Sequence, residues 1–184
     1  MKYNQQTGWI EGIRHCASPN YDARPAGASI DLVVIHGISL PPEQYGSKHI
    51  DQLFTNKLNS EEHPYFKEIC NLRVSTHLLI RRTGEVVQYV SLNDRAWHAG
   101  VSEFNGRTRC NDFSIGIELE GSDHEPYEIA QYNVLASITK LLQHTWPKIT
   151  EEEIVGHCHI APGRKTDPGL AFDWKCYRKL IEKR

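Results

Sequence analysis

The feature that most constrains this fold is the longest apolar run in the sequence, LVVI at residues 32–35, which ends directly before His36. A run of this length fits a buried β-strand and falls far short of the roughly 20 apolar residues that cross a bilayer. The N-terminus begins MKYNQQTGW and has no apolar stretch of the kind found in signal peptides. We therefore expect a water-soluble domain with no membrane association, whose core contains this strand.

A second strand is predicted by the strict alternation in FSIGIELEG, residues 113–121. Its apolar side chains would share one face, while the other face would carry Ser114, Gly116, Glu118 and Glu120. Residues 75–90 predict a β-hairpin with its turn at 83–84. Residues 99–112 and 156–170 predict long loops, because both are polar and rich in glycine.

Three helices are also predicted. Helical spacing relates Ile129, Tyr132, Leu135, Ile138 and Leu142 in a helix that Pro147 would end. A short helix capped by Ser47 would bury Ile50, Leu53 and Phe54, and a last helix capped by Asp173 would bury Trp174, Tyr177 and Ile181. Strands and helices are mixed, so the fold class is α/β or α+β.

Length and charge limit the function classes. A chain of 184 residues suggests one domain, residues 1–184, and its net charge of −2 argues against a nucleic-acid-binding surface, which would be basic. The five cysteines are widely spaced and form no CxxC pair, so we expect reduced thiols in a cytoplasmic protein. No feature indicates an obligate protein partner.

The ten histidines include candidates for a metal site. A catalytic zinc ion needs three protein ligands and one open position. His36 ends an apolar strand, and His157 and Asp167 lie in the loop at 156–170, so these three could bind zinc. His159 competes with His157, because an extended segment would place both on one face. Spacing alone does not choose between them or exclude a three-histidine site, and His98 could line the same cleft.

A zinc hydrolase also needs a carboxylate that moves a proton from water to the leaving group. Glu118 and Glu120 both project from the small-residue face of the second strand, and a solvent-facing acidic edge is an equally good interpretation of that pattern. Lys165 could stabilise an oxyanion, although a solvated loop lysine is the commoner case.

The sequence resembles the zinc N-acetylmuramoyl-L-alanine amidases, and among them the AmpD-type 1,6-anhydro-N-acetylmuramoyl-L-alanine amidases. The similar blocks cover nearly the whole chain: VVIHGISLPP (33–42), HPYF (63–66), LRVSTHLLIRRTGEVVQYV (72–90), RAWHAGVS (95–102), RCNDFSIGIELEG (109–121) and GHCHIAPGRKTDPG (156–169). The resemblance implies a central mixed β-sheet flanked by helices, shared with phage amidases and peptidoglycan-recognition proteins, with a zinc site in a cleft at the sheet.

Residue roles follow from the same resemblance. It implies that His36, His157 and Asp167 bind Zn²⁺, that Glu118 is the catalytic carboxylate, and that Lys165 stabilises the transition-state oxygen. His159 does not match a zinc ligand of the family, although it could still lie near the site, and Glu120 is the same-face neighbour of Glu118. One departure is Gly37, since related chains usually carry asparagine after the first zinc histidine, where it is thought to contact substrate. A second departure is Gly163, where a larger polar residue is expected.

The implied substrate is a small muropeptide, which the enzyme would cleave between anhydro-N-acetylmuramic acid and L-alanine during cell-wall recycling. Its peptide carboxylates suit bidentate arginines, for which the candidates are Arg73, Arg109 and Arg164. Trp97 could pack on the sugar, and Tyr65 matches a tyrosine near the family's site. The alternative is a peptidoglycan-fragment binding module without catalysis, whose members generally lack a zinc ligand.

Overall fold

A computed structural model describes residues 1–182, so Lys183 and Arg184 of the predicted domain lie outside the described part. Its strands are β1 Lys2–Tyr3, β2 Ile10–Glu11, β3 Arg14–His15, β4 Tyr21–Asp22, β5 Leu32–Ile38, β6 Leu78–Ile80, β7 Val86–Gln88, β8 Arg95–Ala96, β9 Glu103–Phe104, β10 Arg107–Thr108, β11 Ser114–Glu120 and β12 Ile154–Gly156. Its helices are α1 His49–Phe54, α2 Phe66–Ile69, α3 Ile129–Thr145, α4 His157–Ile160 and α5 Trp174–Glu182, with a 3-10 helix at Cys110–Asp112.

A six-stranded sheet with the order β12-β5-β11-β6-β7-β3 forms the centre of the fold. Strands β12, β5, β11 and β6 run parallel, β7 is antiparallel to β6, and β3 is parallel to β7. The predicted central mixed sheet and the α/β (α+β) class are therefore confirmed. The central strands β5 and β11 are buried along both faces, as parallel strands covered on each side usually are.

One face of the sheet packs against α3 and α5. The odd-numbered residues of the two central strands, such as Val33, Ile35 and Ile117, meet Leu135 and Tyr177 there in the largest hydrophobic cluster. Helices α3 and α5 also pack on each other, and Thr139 and Tyr177 share a hydrogen bond of 2.7 Å between their hydroxyls. This face carries most of the core and leaves the opposite face available for the site.

The opposite face is covered by short helices and loops. Residues of α1 and α2 pack over β6 and β7, while Leu32 and Val34 pack beneath the loop that contains Ala99. Phe113 packs in the cluster with Leu32 and Val34, whereas Ile115 packs in the main core on the other face of the sheet. The prediction that these two residues share a face is therefore wrong. The reason is that Phe113 precedes β11 with a turn-like backbone and so falls outside the strand alternation.

The N-terminal segment is fixed to the sheet by a buried glutamine. The Gln88 side-chain oxygen accepts a hydrogen bond from the Ile10 N–H at 2.8 Å, and its amide nitrogen donates to the Gly8 and Val90 carbonyls. Ile10 itself is fully buried in the main core. The first residues therefore form part of the packed structure.

Most of the predicted elements are confirmed. The hairpin pairs β6 with β7, and Asp173 caps α5 by accepting a hydrogen bond from the Cys176 N–H. The predicted apolar residues of α1 are buried, but its N-cap is Lys48 and not the predicted Ser47. Ser47 lies one residue earlier and accepts a hydrogen bond from the His49 N–H. Ile129 is an exception, because it is the first residue of α3 and 61% exposed. Within residues 1–182, no helix combines the length and the apolar content that crossing a bilayer requires.

Candidate active site

Three neighbouring parallel strands bring the site together at one edge of the sheet. His36 lies near the end of β5, Glu118 is its direct partner on β11, and His157 follows the last residue of β12. Paired residues on adjacent strands project from the same face, so the His36 and Glu118 side chains point to the same side of the sheet. The carboxyl ends of parallel strands are the usual location of a site in such folds.

Asp167 completes a compact group with the two histidines. The His36 and His157 Nδ1 atoms lie 3.0 Å apart, and each is 3.1 Å from Asp167 Oδ2. Both histidines are buried, while Asp167 is about one-sixth exposed. These three residues are a group whose ligand atoms lie close enough together to hold one metal ion.

The donor set fits zinc. A tetrahedral site with metal–ligand bonds of about 2.0–2.1 Å separates its ligand atoms by roughly 3.3 Å, close to the observed spacing. Two neutral imidazole nitrogens and one carboxylate oxygen are also ligands that zinc accepts. Each ring nitrogen facing away from this group has its own partner, since His157 Nε2 is 3.1 Å from the Ala99 carbonyl oxygen and His36 Nε2 is 3.0 Å from His98 Nδ1.

Protonation in the site favours metal binding. Burial lowers the pKa of His36 to about 4, although the hydrogen bond with Asp167 acts in the opposite direction. Burial alone would raise the pKa of Asp167, but its hydrogen bonds with His157 and His36 outweigh this effect and lower the pKa. A neutral imidazole and an ionised carboxylate are the forms that bind a metal, and these are the forms of His36 and Asp167 at neutral pH.

Glu118 differs from Glu120 in its surroundings. Glu118 is about 9% exposed, and its buried Oε2 atom has no hydrogen-bond partner within the described residues. Burial raises its pKa well above the ordinary glutamate value, and the Asp167 charge adds to this effect. Glu120 is instead held by a 3.1 Å ion pair with Arg81 and by the Gly46 N–H. Glu118 therefore brings a buried, unpartnered carboxylate oxygen to the site.

A cavity of about 570 Å³ opens over this face of the sheet. The three candidate ligands and Glu118 line it, and so do Tyr65, Trp97, Arg164 and Lys165. Lys165 is exposed at the rim, whereas Arg164 donates to the Ala99 and Val101 carbonyls at 2.7 Å. The structure thus gathers these predicted residues around one cavity.

Two predicted arginines lie elsewhere. Arg109 is exposed, 3.3 Å from Asp112, and lines a second cavity that shares Arg164 with the first. Arg73 is exposed and donates only a 3.4 Å bond to the carbonyl of Leu72, a residue that does line the first cavity. Both substrate-binding assignments remain predictions, since neither side chain contacts the candidate metal ligands.

Helix α4 separates the directions of His157 and His159. Residues 157–160 form a helical turn rather than an extended segment, so the two side chains diverge. His159 Nδ1 accepts a hydrogen bond from the Gly156 N–H at 2.9 Å, and its ring packs against Trp174. His159 thus stabilises the turn, whereas His157 faces Asp167.

Sequence reasoning missed Tyr127. Its hydroxyl donates to the Pro168 carbonyl at 2.9 Å, next to Asp167, and lies where a side chain at position 37 would project. A Cβ atom on Gly37 would be 2.3 Å from this hydroxyl oxygen. The departure at Gly37 was visible in the sequence, but nothing there linked it to a tyrosine 90 positions away.

The sequence is similar to known amidases over most of its length. The family model described as N-acetylmuramoyl-L-alanine amidase matches residues 26–170. The 1,6-anhydro-N-acetylmuramyl-L-alanine amidases AmpD of Escherichia coli and Haemophilus influenzae are each 54% identical to this chain, and the alignments cover 97% and 96% of both partners.

Solved structures agree with these matches. The crystal structure of a selenomethionine derivative of AmpD superposes with a TM-score of 0.94 at 52% identity, covering 98% of this chain and 99% of that one. A complex of the Escherichia coli amidase AmiD with anhydro-N-acetylmuramic acid-L-Ala-D-γ-Glu-L-Lys has a TM-score of 0.61 at 28% identity, covering 85% of this chain and 60% of that one.

Proposed function

This chain belongs to the N-acetylmuramoyl-L-alanine amidase family, and we propose that it is a zinc-dependent hydrolase of anhydromuropeptides. The bond cleaved is the amide between 1,6-anhydro-N-acetylmuramic acid and L-alanine, as the names of the AmpD relatives indicate for those proteins. The observation that carries the proposal is the triangle of His36, His157 and Asp167 beside the unpartnered carboxylate oxygen of Glu118, in one cavity.

The setting proposed for this activity is peptidoglycan recycling in the cytoplasm. All five cysteines are unpaired, as expected of a chain kept in a reducing compartment. The cavity of about 570 Å³ is within the range of roughly 300–1,000 Å³ typical of small-molecule sites, which suits a sugar with a short peptide.

His36, His157 and Asp167 would hold the zinc ion. When bound there, zinc would polarise the scissile carbonyl and acidify water at neutral pH. The protein's part is to hold the three side chains at the observed spacing, with the His36 imidazole neutral and the Asp167 carboxylate ionised. One carboxylate among three ligands leaves the metal site with a net positive charge, which favours a developing oxyanion.

Glu118 moves the proton. Its free Oε2 atom can accept a proton from the attacking water and return it to the departing L-alanine nitrogen. The raised pKa of Glu118 suits the return step, because a carboxyl with a raised pKa takes up a proton more readily and can then deliver it to the leaving nitrogen. A nearby cation would lower this pKa again and so favour the ionised form before the reaction.

Lys165 and the aromatic residues complete the proposal. Lys165 lies on the rim of the cavity, and its ammonium group would stabilise the negative charge on the former carbonyl oxygen. Trp97 and Tyr65 would contact the sugar and the peptide, since both line the cavity and are partly exposed. Arg73, Arg109 and Arg164 remain the candidates for the peptide carboxylates.

The test is incubation of the zinc-loaded protein with an anhydromuropeptide, followed by mass analysis of the products. We expect free peptide and free anhydro-sugar, and a loss of turnover of about 10²–10⁴-fold in Glu118→Gln with bound zinc unchanged. A matched control is Glu125→Gln, which removes an exposed carboxylate from the segment that follows the same strand. Intact substrate with the wild-type enzyme, or full turnover in Glu118→Gln, would contradict the proposal.

A further inference from the structure

His98 connects the metal ligand His36 to the interior of the protein. Its Nδ1 atom lies 3.0 Å from His36 Nε2, and its Nε2 atom lies 3.3 Å from the hydroxyl of Ser114, which is fully buried. The His36 and His98 rings meet edge-on at an interplanar angle of 86°. His36 therefore has a side-chain partner on the nitrogen that faces away from the proposed metal.

The direction of these hydrogen bonds follows from the proposed zinc site. A metal at His36 Nδ1 requires that nitrogen to be unprotonated, so the neutral ring carries its proton on Nε2 and donates to His98 Nδ1. His98 must then accept at Nδ1, which places its own proton on Nε2, directed at the Ser114 hydroxyl. The chain of donors thus has one consistent arrangement when His36 binds a metal.

The His98 ring fits against the sheet because residue 116 is a glycine and leaves room for it. A Cβ atom on Gly116 would lie 2.5–2.7 Å from three atoms of the ring, closer than real contacts allow. The segment carrying His98 is fixed as well, since Asn111 Oδ1 accepts hydrogen bonds from the backbone N–H groups of His98 and Ala99. The ring is consequently held against His36 by packing as well as by hydrogen bonding.

A neighbouring histidine does not compete for this bond. His77 Nδ1 accepts a hydrogen bond from the Gly116 N–H at 3.0 Å, and its Nε2 atom lies 3.1 Å from the Asp94 carbonyl oxygen. Its ring packs edge-on against His98, with the centroids 5.7 Å apart. His77 therefore lies beside His98, with its own hydrogen-bond partners, and does not contact His36.

We propose that His98 is a positioning residue that fixes the orientation and the tautomer of His36, so that Nδ1 of His36 faces the metal. This inference rests on the proposed zinc site and adds a role that the ligand set alone does not contain. A partner on the outer nitrogen of a ligating histidine stabilises the bound form, and its loss typically weakens metal binding by about 10–100-fold.

The experiment measures Zn²⁺ affinity by competition with a chromophoric chelator, which requires no substrate. We expect His98→Leu to weaken Zn²⁺ binding by about 10–100-fold. We expect His98→Asn to recover most of this loss, because the amide oxygen replaces Nδ1 as an acceptor. Ser114→Ala keeps the ring and should weaken binding by only about two- to tenfold. Absorption bands of the Co²⁺-loaded protein should shift in His98→Leu and return in His98→Asn.

His77→Leu is the matched control, since it removes a neighbouring buried ring that does not contact His36. It should lower the melting temperature and leave the Zn²⁺ affinity of the folded protein unchanged. Equal Zn²⁺ affinity in the wild type and His98→Leu, or no recovery of affinity in His98→Asn, would overturn this inference and leave the proposed function standing. If His98→Leu does not fold, unchanged Zn²⁺ affinity and unshifted Co²⁺ bands in Ser114→Ala would overturn it. A wild-type chain that binds no Zn²⁺ would overturn the proposed function first.

Discussion

Acid should destabilise this protein through His77. This ring is fully buried, and burial together with the Arg24 charge lowers its pKa to about 3. Protonation would place an N–H at Nδ1 against the Gly116 N–H, two donors 3.0 Å apart. The Arg24 guanidinium, 3.1 Å from Nε2, would repel the new charge. The folded protein therefore resists a proton that the unfolded chain accepts.

The magnitude follows from the two pKa values. The unfolded histidine has a pKa of about 6.5, so above that pH both states are neutral and the stability is complete. As the pH falls below it, the unfolded state binds a proton and the folded state does not until about pH 3, so stability is lost progressively. Between about pH 7.5 and pH 4.5 this single group should cost about 2–3 kcal/mol of unfolding free energy.

The assay is urea unfolding at both pH values, with a chelator present so that metal loss does not contribute. The comparison is with His77→Gln, which cannot titrate but retains hydrogen-bonding groups. The variant should be less stable at the higher pH, and its disadvantage should shrink by about 2–3 kcal/mol at the lower pH. His36 and His98 titrate in both proteins and largely cancel in the difference. Parallel stability profiles for the two proteins would refute this reasoning.

Two further predictions concern packing and charge. Gly37→Ala should destabilise the protein by about 1–3 kcal/mol, because its Cβ would meet the Tyr127 hydroxyl. In the Tyr127→Phe background the same change should cost little stability, since the nearest remaining ring atom is 3.6 Å away. Calorimetry of the wild type, the two single variants and the double variant measures this difference. An equal cost of Gly37→Ala in both backgrounds would exclude the Tyr127 hydroxyl as the cause. Arg81→Met should cost about 3–5 kcal/mol by leaving the buried Glu120 carboxylate without its cation. Adding Glu120→Gln should recover part of this loss in denaturant unfolding, and no recovery would contradict the charge explanation.

The two site residues that lie on strands, His36 and Glu118, could be predicted from the sequence. His36 follows an apolar run, and the alternation around Glu118 puts it on a face of small residues, so the two strands specify both positions locally. Their direct pairing requires the parallel register of β5 and β11, which depends on tertiary packing. The resemblance named the residues, but the register explains why they are neighbours.

The loop half could not be predicted from local patterns. His157 and His159 are equivalent in an extended segment, and only the helical turn of α4 separates their directions. Similarly, Gly116 is an unremarkable small residue until the fold brings His98, which is 18 positions earlier, over it. Such contacts join segments far apart in the chain, and periodicity carries no information about them.

The buried amide of Gln88 has a consequence for how the chain unfolds. The family match begins at residue 26, yet the Gln88 side chain makes three hydrogen bonds, two of them with the backbone of Gly8 and Ile10. The match ends at residue 170, yet Tyr177 fills the core beneath α3. A fragment limited to residues 26–170 would expose that core and leave buried polar atoms of Gln88 without hydrogen-bond partners. Each such atom would lower the unfolding free energy by about 1–3 kcal/mol. The cooperative unit of folding is thus wider than residues 26–170, the region that the family model matches.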